Sequence, residues 1–267
     1  MTTDNNTTNT DNTTNTDNNT AVDVTTIEPI GHREAMRLQA TEFDRAIALL
    51  RSLDSDDWSI QTVCPDWDVR RMWLHVLGAS EAGASVRENV HQLRAARKRQ
   101  KDLGVALEAG LSGVQVDERN GLSPDELVDR LARIAPKTVK GRGRTPRPMR
   151  AIRFPVDAPV AETWRLGYLI DVIYLRDAWM HRIDTVRATG GDLALTTEHD
   201  GRVVADIVAE WARRHGQAFT LELTGAAGGT FTAGDDGDTM VMDAVEFCWV
   251  LAGRGEATGL LRTIVPF

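Results

Sequence analysis

The apolar residues of this chain fall into blocks of helical spacing over most of its length and change to strict alternation only towards the C-terminal end. From His32 to Leu53, Met36, Ala40, Phe43, Ile47 and Leu50 recur every three or four positions with charges on the other face, which predicts an amphipathic helix. Asp54 to Asp57 breaks the pattern. Thr62-Val63-Cys64-Pro65-Asp66-Trp67-Asp68 then leads into a second helix carrying Val69, Met72, Trp73 and Val76, with Asp66 or Asp68 as its cap. A third helical stretch is expected from about Ser80 to Leu103, ending in a polar run of Arg94, Arg97, Lys98, Arg99 and Lys101. Ser123-Pro124-Asp125-Glu126 opens a fourth helix with a serine cap, a first-turn proline and a capping-box glutamate, and Pro136 is expected to end it.

Lys137 to Arg150 reads as a loop rich in Gly, Pro and Arg. From Ala161 to about Val186 the pattern is helical again, with Trp164, Leu166, Leu169, Ile173 and Trp179 available for packing. After Gly190-Gly191 a further helix spans about Thr197 to His215. Phe219, Leu221 and Leu223 then alternate with Thr220, Glu222 and Thr224, which is strand periodicity. Turn signals at Gly225 to Gly229 and at Asp235-Asp236-Gly237 flank a second strand around Phe231; Met240 to Met242 predicts a third, and Asp243 to Leu251 a last helix stopped by Gly253-Arg254-Gly255. The layout is α+β: a helical domain over residues 27–190, then a small mixed α/β domain over residues 191–267.

Composition adds a tail to this picture. Residues 1–26 are a Thr/Asn/Asp repeat with almost nothing to bury, and are expected to be disordered. The 39 acidic residues against 31 basic ones include Asp4, Asp11, Asp17 and Asp23 of that tail, so the remainder carries only a mild negative charge and exerts no general pull on nucleic acid. The Lys137–Arg150 stretch is the one place where a nucleic-acid reading starts; without interleaved aromatics it reads as a solvated basic loop. Two cysteines, Cys64 and Cys248, far apart and without CxxC spacing, suggest neither a disulfide framework nor a cysteine zinc site. With no long apolar run and no basic-then-apolar leader, the chain is expected to be soluble, without a membrane partner, and cytoplasmic.

The candidate chemistry lies in Leu175 to Asp184, LRDAWMHRID. Asp177 and His181 stand four residues apart, so a helix stacks both on one face. His75 sits in the second predicted helix, and helical bundles build metal sites from facing helices, which makes His75, Asp177 and His181 a candidate set of three ligands with one position open. The competing reading is an Asp177 salt bridge to an arginine and a hydrogen-bonded core histidine. His199 and Asp200, at a helix start, read as capping residues, and Trp58, Trp67 and Trp73 as core.

CPDWDVRRMWLHVLG, RDAWMHRID, LTGAAGGTF and DAVEFCWVLAGRG, with the terminal VPF, together resemble the mycothiol-dependent maleylpyruvate isomerase family from about His32 to Phe267. The resemblance implies a DinB-like four-helix bundle and a small sterol-carrier-like α/β domain. It also implies a divalent metal, usually zinc, held by a histidine of the second helix and an acid-x-x-x-His pair, which fall on His75, Asp177 and His181. The family's Gly-Arg near the end falls on Gly253-Arg254. Aspartate stands where the isomerases are expected to carry glutamate, one methylene longer.

A low-molecular-weight thiol, mycothiol by the resemblance, entering the open position would be held as thiolate. It would then isomerise a small electrophile by addition, rotation and elimination, or remain attached to it as in an S-transferase. Arg254 is a candidate catalytic residue for pairing with a substrate carboxylate, or else a surface charge at a helix end. The alternative to an enzyme is a non-catalytic sensor or interaction module that binds metal or a ligand in the same bundle.

Overall fold

The computed structural model describes residues 21–157 and 160–267. Four long helices form the bundle: α1 (His32–Ser52), α2 (Val69–Ala84), α5 (Pro124–Gly143) and α8 (Tyr174–Thr189), with α3 (Val86–Leu103) and α4 (Leu107–Asp117) packed on α2 between the second and third of them. Phe43, Leu50, Met72, Trp73, Leu77, Leu127 and Leu131 fill the space between α1, α2 and α5. Of the stripe read from His32 to Leu53, Phe43, Ile47 and Leu50 are buried on α1, whereas Met36 is half-buried and Ala40 exposed; Asp68 caps α2 by accepting from the Arg71 amide at 2.7 Å.

Several boundaries differ from the periodicity. The stretch from Ser80 belongs to α2 until Ser85, whose extended backbone breaks the helix and whose hydroxyl accepts from the Glu88 amide to start α3. Helix α4 escapes the pattern because its apolar residues do not gather on one face. Pro136 does not end α5. Ser123 and Glu126 cap its start reciprocally, and the chain stays helical for seven residues past the proline, because Thr138 and Arg142 are buried there. Thr138 Oγ1 donates to the Ser80 carbonyl at 2.7 Å, and an Arg142 nitrogen donates to Gln39 Oε1 at 2.9 Å. Packing thus offsets a backbone bond that proline cannot make. The basic loop expected over Lys137–Arg150 is accordingly the end of α5, a turn and the short helix α6 (Arg147–Arg150).

Gly141 lies against the backbone of α2, where a Cβ would overlap the Gly83 carbonyl oxygen. Gly141→Ala is therefore expected to lower stability by about 1–3 kcal/mol through overpacking, read as a shifted urea midpoint with an unchanged slope.

Strands β2 (Arg153–Val156) and β3 (Glu162–Arg165) form an antiparallel hairpin where the sequence predicts a helix from Ala161. Phe154 pairs with Trp164, and Trp164 is buried with Val156 and Ile173, so cross-strand packing overrides the helical spacing. The chain turns through α7 (Leu166–Tyr168) and a π-helical turn (Leu169–Ile173) into α8, which ends at Gly190 with a positive φ of 73°.

The C-terminal part contains a π-helical turn (Thr197–Gly201), α9 (Arg202–His215), β4 (Phe219–Thr224), β5 (Gly229–Ala233), β6 (Asp238–Asp243) and α10 (Ala244–Leu251). Residues 22–26, assigned to the disordered tail by composition, are ordered: β1 (Val22–Asp23) pairs parallel with β5, and Val24 is buried in the adjoining core. The rest of that tail, residues 1–20, lies outside the described residues. The sheet order is β1-β5-β4-β6, antiparallel between β4 and β5 and parallel between β4 and β6. Its core includes Trp211, Phe219, Leu221 and Phe247 together with Leu175, Trp179, Met180 and Ile183 of α8. The structure is the expected α+β arrangement of a DinB-like helical bundle with a small α/β part. Among the described residues, no helix is long and apolar enough to cross a membrane.

Candidate metal centre

α8 is buried on nearly every side, and its two faces meet different neighbours. Leu175, Trp179, Met180 and Ile183 enter the C-terminal core, while the face carrying Asp177, His181 and Thr185 meets α2. The contact is fixed by Trp73, whose indole N–H donates to Thr185 Oγ1 at 2.9 Å. One helical turn along α8 from Thr185, His181 faces His75 of α2: the two imidazoles stand 5.8 Å apart, centre to centre, at 90°.

Asp177 lies between them. Its Oδ1 is 3.3 Å from His181 Nε2 and its Oδ2 is 3.7 Å from His75 Nε2. The three side chains present one donor atom each within 4.8 Å of one another. His75 Nδ1 is buried with no hydrogen-bond partner, an orphaned polar atom at the edge of this group. Two imidazoles and one carboxylate from two rigid helices are a donor set that suits zinc or a similar ion.

Electrostatics bind the group tightly. Burial pulls the pKa of His181 down, but the charge of Asp177 and hydrogen bonds to Asp177 and Asp184 outweigh it and push it up to about 10. Burial raises the Asp177 pKa, and the neighbouring His181 and His75 overcome this and hold it well below the ordinary carboxylate range. The Arg142 guanidinium sits 3.9 Å over the Tyr174 ring, one turn before Asp177 on α8. Burial lowers its pKa to about 10 against the opposing influence of Tyr174 and Asp177, so it remains a cation at neutral pH.

Three further residues stand at the site without having been placed there by the sequence reading. Asp184, at the end of the LRDAWMHRID run, has a fully buried side chain, and its Oδ2 lies 2.9 Å from His181 Nδ1. The H-x-x-D spacing was the available signal, since i and i+3 share a helix face. Trp67 stacks on His75 at 5.0 Å and approaches His181 edge-on at 6.4 Å, so it borders the site while also packing, half-buried, against the bundle core. Trp58 and Trp73 are core. Cys64 brings its sulfur within 4.8 Å of donor atoms of His181 and Asp184. Both Cys64 and Trp67 are placed by a tight loop, in which the Trp67 amide donates to the Cys64 carbonyl at 3.0 Å and the Gln61 side chain donates to both carbonyls.

Arg254 also lies beside the site. Its Nε and Nη2 donate to the two oxygens of Asp184 at 2.9 and 3.0 Å, so the fork that could have met a substrate carboxylate meets a protein one.

His199 and Asp200 are not caps. Thr196 caps that turn, and both residues are buried. Asp200 accepts from Arg45, Arg182, the Trp179 indole and the Thr196 amide, while His199 Nε2 lies 2.8 Å from Glu42. Glu42, His199 and Asp200 also present donors within 4.8 Å of one another, but Arg45 and Arg182 already neutralise the carboxylates. This cluster joins α1, α8 and the turn before α9.

Residues 39–185, more than half of the chain, match the model of the mycothiol maleylpyruvate isomerase N-terminal domain. The matched span contains His75, Asp177, His181 and Asp184 but not Arg254. Two solved structures are similar: the mycothiol-dependent maleylpyruvate isomerase, at 14% identity, and a histidine-to-alanine variant of it, at 13%. Each likeness covers 84% of this chain and 90% of the other, with a TM-score of 0.54. No curated protein sequence matches.

Proposed function

We propose, for a chain that belongs to the mycothiol maleylpyruvate isomerase N-terminal domain family, that His75, Asp177 and His181 hold a divalent cation, zinc by their donor chemistry, in an enzyme that uses a low-molecular-weight thiol on a small electrophile. The observation that carries this reading is the convergence of three ligand atoms from two facing helices on one point beside an orphaned imidazole nitrogen. The cation supplies a Lewis-acid position that favours the thiolate form of a thiol such as mycothiol at neutral pH.

Around that position, each side chain has a separate task. His75 and Asp177 supply neutral and anionic donors, and Trp67 shields the outer face of His75 from water. The fixed charge of Arg142 near Asp177 favours an anionic partner in the centre. Addition of the sulfur to an activated cis double bond, rotation and departure of the same thiolate would make the enzyme an isomerase; attack on carbon with expulsion of a leaving group that carries off the bonding electron pair, the sulfur staying attached, would make it an S-transferase. The site geometry serves either reaction.

Elemental analysis of protein purified without chelator, followed by thiol-consumption assays on a panel of electrophiles, tests this reading. About one equivalent of metal and metal-dependent loss of free thiol are expected. Protein that contains no metal and stays inert to added zinc rules the reading out; protein that holds metal but consumes no thiol points to a sensor instead.

The pKa of His181 sets a pH signature. In the metal-free protein the ring is protonated well above neutrality, so a cation must displace a proton from Nε2. Affinity should therefore rise with pH until about pH 10 and fall on acidification. Titration calorimetry in buffers of different ionisation enthalpy should show about one proton released by His181 per cation at pH 7 to 8. Uptake without proton release would mean that His181 is not a ligand.

A further inference from the structure

We propose that Arg254 acts as a positioning residue: through Asp184 it fixes the His181 imidazole, so that the C-terminal part of the chain sets the aim of a ligand in the helical bundle. The proposal rests on the metal reading above and assigns Arg254 a role different from substrate binding.

The geometry is a three-membered clasp. His181 and Asp184 are one turn apart on α8, with Nδ1 and Oδ2 at 2.9 Å. Alone, that contact would leave the carboxylate free to swing about its own side-chain bonds. Arg254, 70 positions further on, removes this freedom by meeting both oxygens at once, Nε to Oδ1 at 2.9 Å and Nη2 to Oδ2 at 3.0 Å. The Asp184 side chain is completely buried, so without Arg254 its charge would be left in the interior with only His181, which Asp177 already shares.

Arg254 is itself held. The chain turns after α10 through Gly253, with a φ of 74°, and the Arg254 amide donates to the Trp249 carbonyl at 3.1 Å. The Trp249 ring lies near two guanidinium groups, Arg187 at 4.0 Å and Arg254 at 5.9 Å from its centroid.

Occupation of Nδ1 has a chemical consequence. It leaves Nε2, the nitrogen facing Asp177, as the atom available to a cation, and a hydrogen-bonded carboxylate on the far nitrogen makes that imidazole a stronger donor. The ring direction is then set before any cation arrives, and the proton that a cation displaces is the one on Nε2. Because α10 and its following turn supply the arginine, docking of this segment and formation of the ligand set are coupled.

The test compares wild type with Asp184→Asn, Arg254→Gln, Arg254→Lys and the Asp184→Asn/Arg254→Gln pair. Zinc affinity is read by chelator competition, and in metal-free protein the downfield proton NMR signal of His181 Nδ1–H, assigned by its loss in His181→Gln, is followed at the same time. Asp184→Asn is expected to weaken zinc binding about 10- to 100-fold, Arg254→Gln about tenfold, and Arg254→Lys less, because lysine restores the charge without the fork. The double variant should be no weaker than Asp184→Asn alone, since Arg254 works only through Asp184.

The Nδ1 proton should be sharp in wild type, broadened in Arg254→Gln and absent in Asp184→Asn. Unchanged zinc affinity and an unchanged proton signal in Arg254→Gln, or additive losses in the double variant, would overturn the clasp; a raised KM for an anionic electrophile would then identify Arg254 as a substrate ligand. A wild type that binds no zinc but keeps an Arg254-dependent Nδ1 proton would remove the metal reading and leave the clasp standing.

Discussion

His181→Ala is expected to abolish stoichiometric metal binding and, with it, metal-dependent thiol chemistry. The ring is the most constrained donor of the three: its two nitrogens lie 3.3 Å from Asp177 and 2.9 Å from Asp184, and it is nearly excluded from solvent. Removing it leaves Asp177 and His75 at a bare 3.7 Å contact and takes the imidazolium away from the buried Asp184, which retains only Arg254. Zinc affinity should fall by at least about 100-fold, beyond the range that loss of a supporting hydrogen bond produces. The measurement is metal content after dialysis beside thiol turnover on the same sample. His75→Ala should act in the same direction without disturbing Asp184. Full metal retention in both variants would place the cation elsewhere.

Arg182→Ala should be the most destabilising change away from that centre. The guanidinium is buried, donating to Glu42 at 2.7 and 3.2 Å, to Asp200 at 2.6 Å and to the Ala194 carbonyl at 3.2 Å. Its loss leaves two interior carboxylates sharing Arg45 and His199, and breaking a buried pair from one side costs about 3–5 kcal/mol. Urea denaturation should report that loss, whereas Lys98→Ala, which removes an exposed pair with Asp102, should leave the midpoint in place. An Arg182→Ala midpoint equal to wild type would show that the network contributes little to stability.

The amphipathic parts of the fold were legible in the sequence. The Phe43–Ile47–Leu50 part of the α1 stripe and the alternation of β4 express burial on one face, which periodicity records directly, and the cap of α2 is a local side-chain bond that residue type announces. The misread parts depend on distant partners. Pro136 stays within a helix because Ser80 and Gln39 meet the residues that follow it, and the β2–β3 hairpin forms because Phe154 faces Trp164. Residues 22–26 are ordered by β5, two hundred positions downstream, and by a single buried valine. No local composition rule contains those contacts.

The same division runs through the site. Asp177 and His181 could be put on one face by counting, and Asp184 could have been added by counting three more. Cys64 and Trp67 could not, because their placement comes from the folded-back loop before α2. The partnership of Arg254 with Asp184 spans two parts of the fold, and a guanidinium carries no mark that distinguishes a protein carboxylate from a substrate one.

The two committed faces of α8 limit how the centre can adapt to what enters it. Sliding or turning this helix would open either the bundle or the C-terminal core, so Asp177 and His181 behave as a preset anvil rather than as jaws. In the proposed enzyme, accommodation of differently shaped substrates would then fall to the Gln61–Asp68 loop, where Trp67 and Cys64 are partly exposed and their backbone is held by the Gln61 and Thr62 side chains and by local backbone hydrogen bonds. Sequence change there can retune the guest while the donor geometry stays fixed.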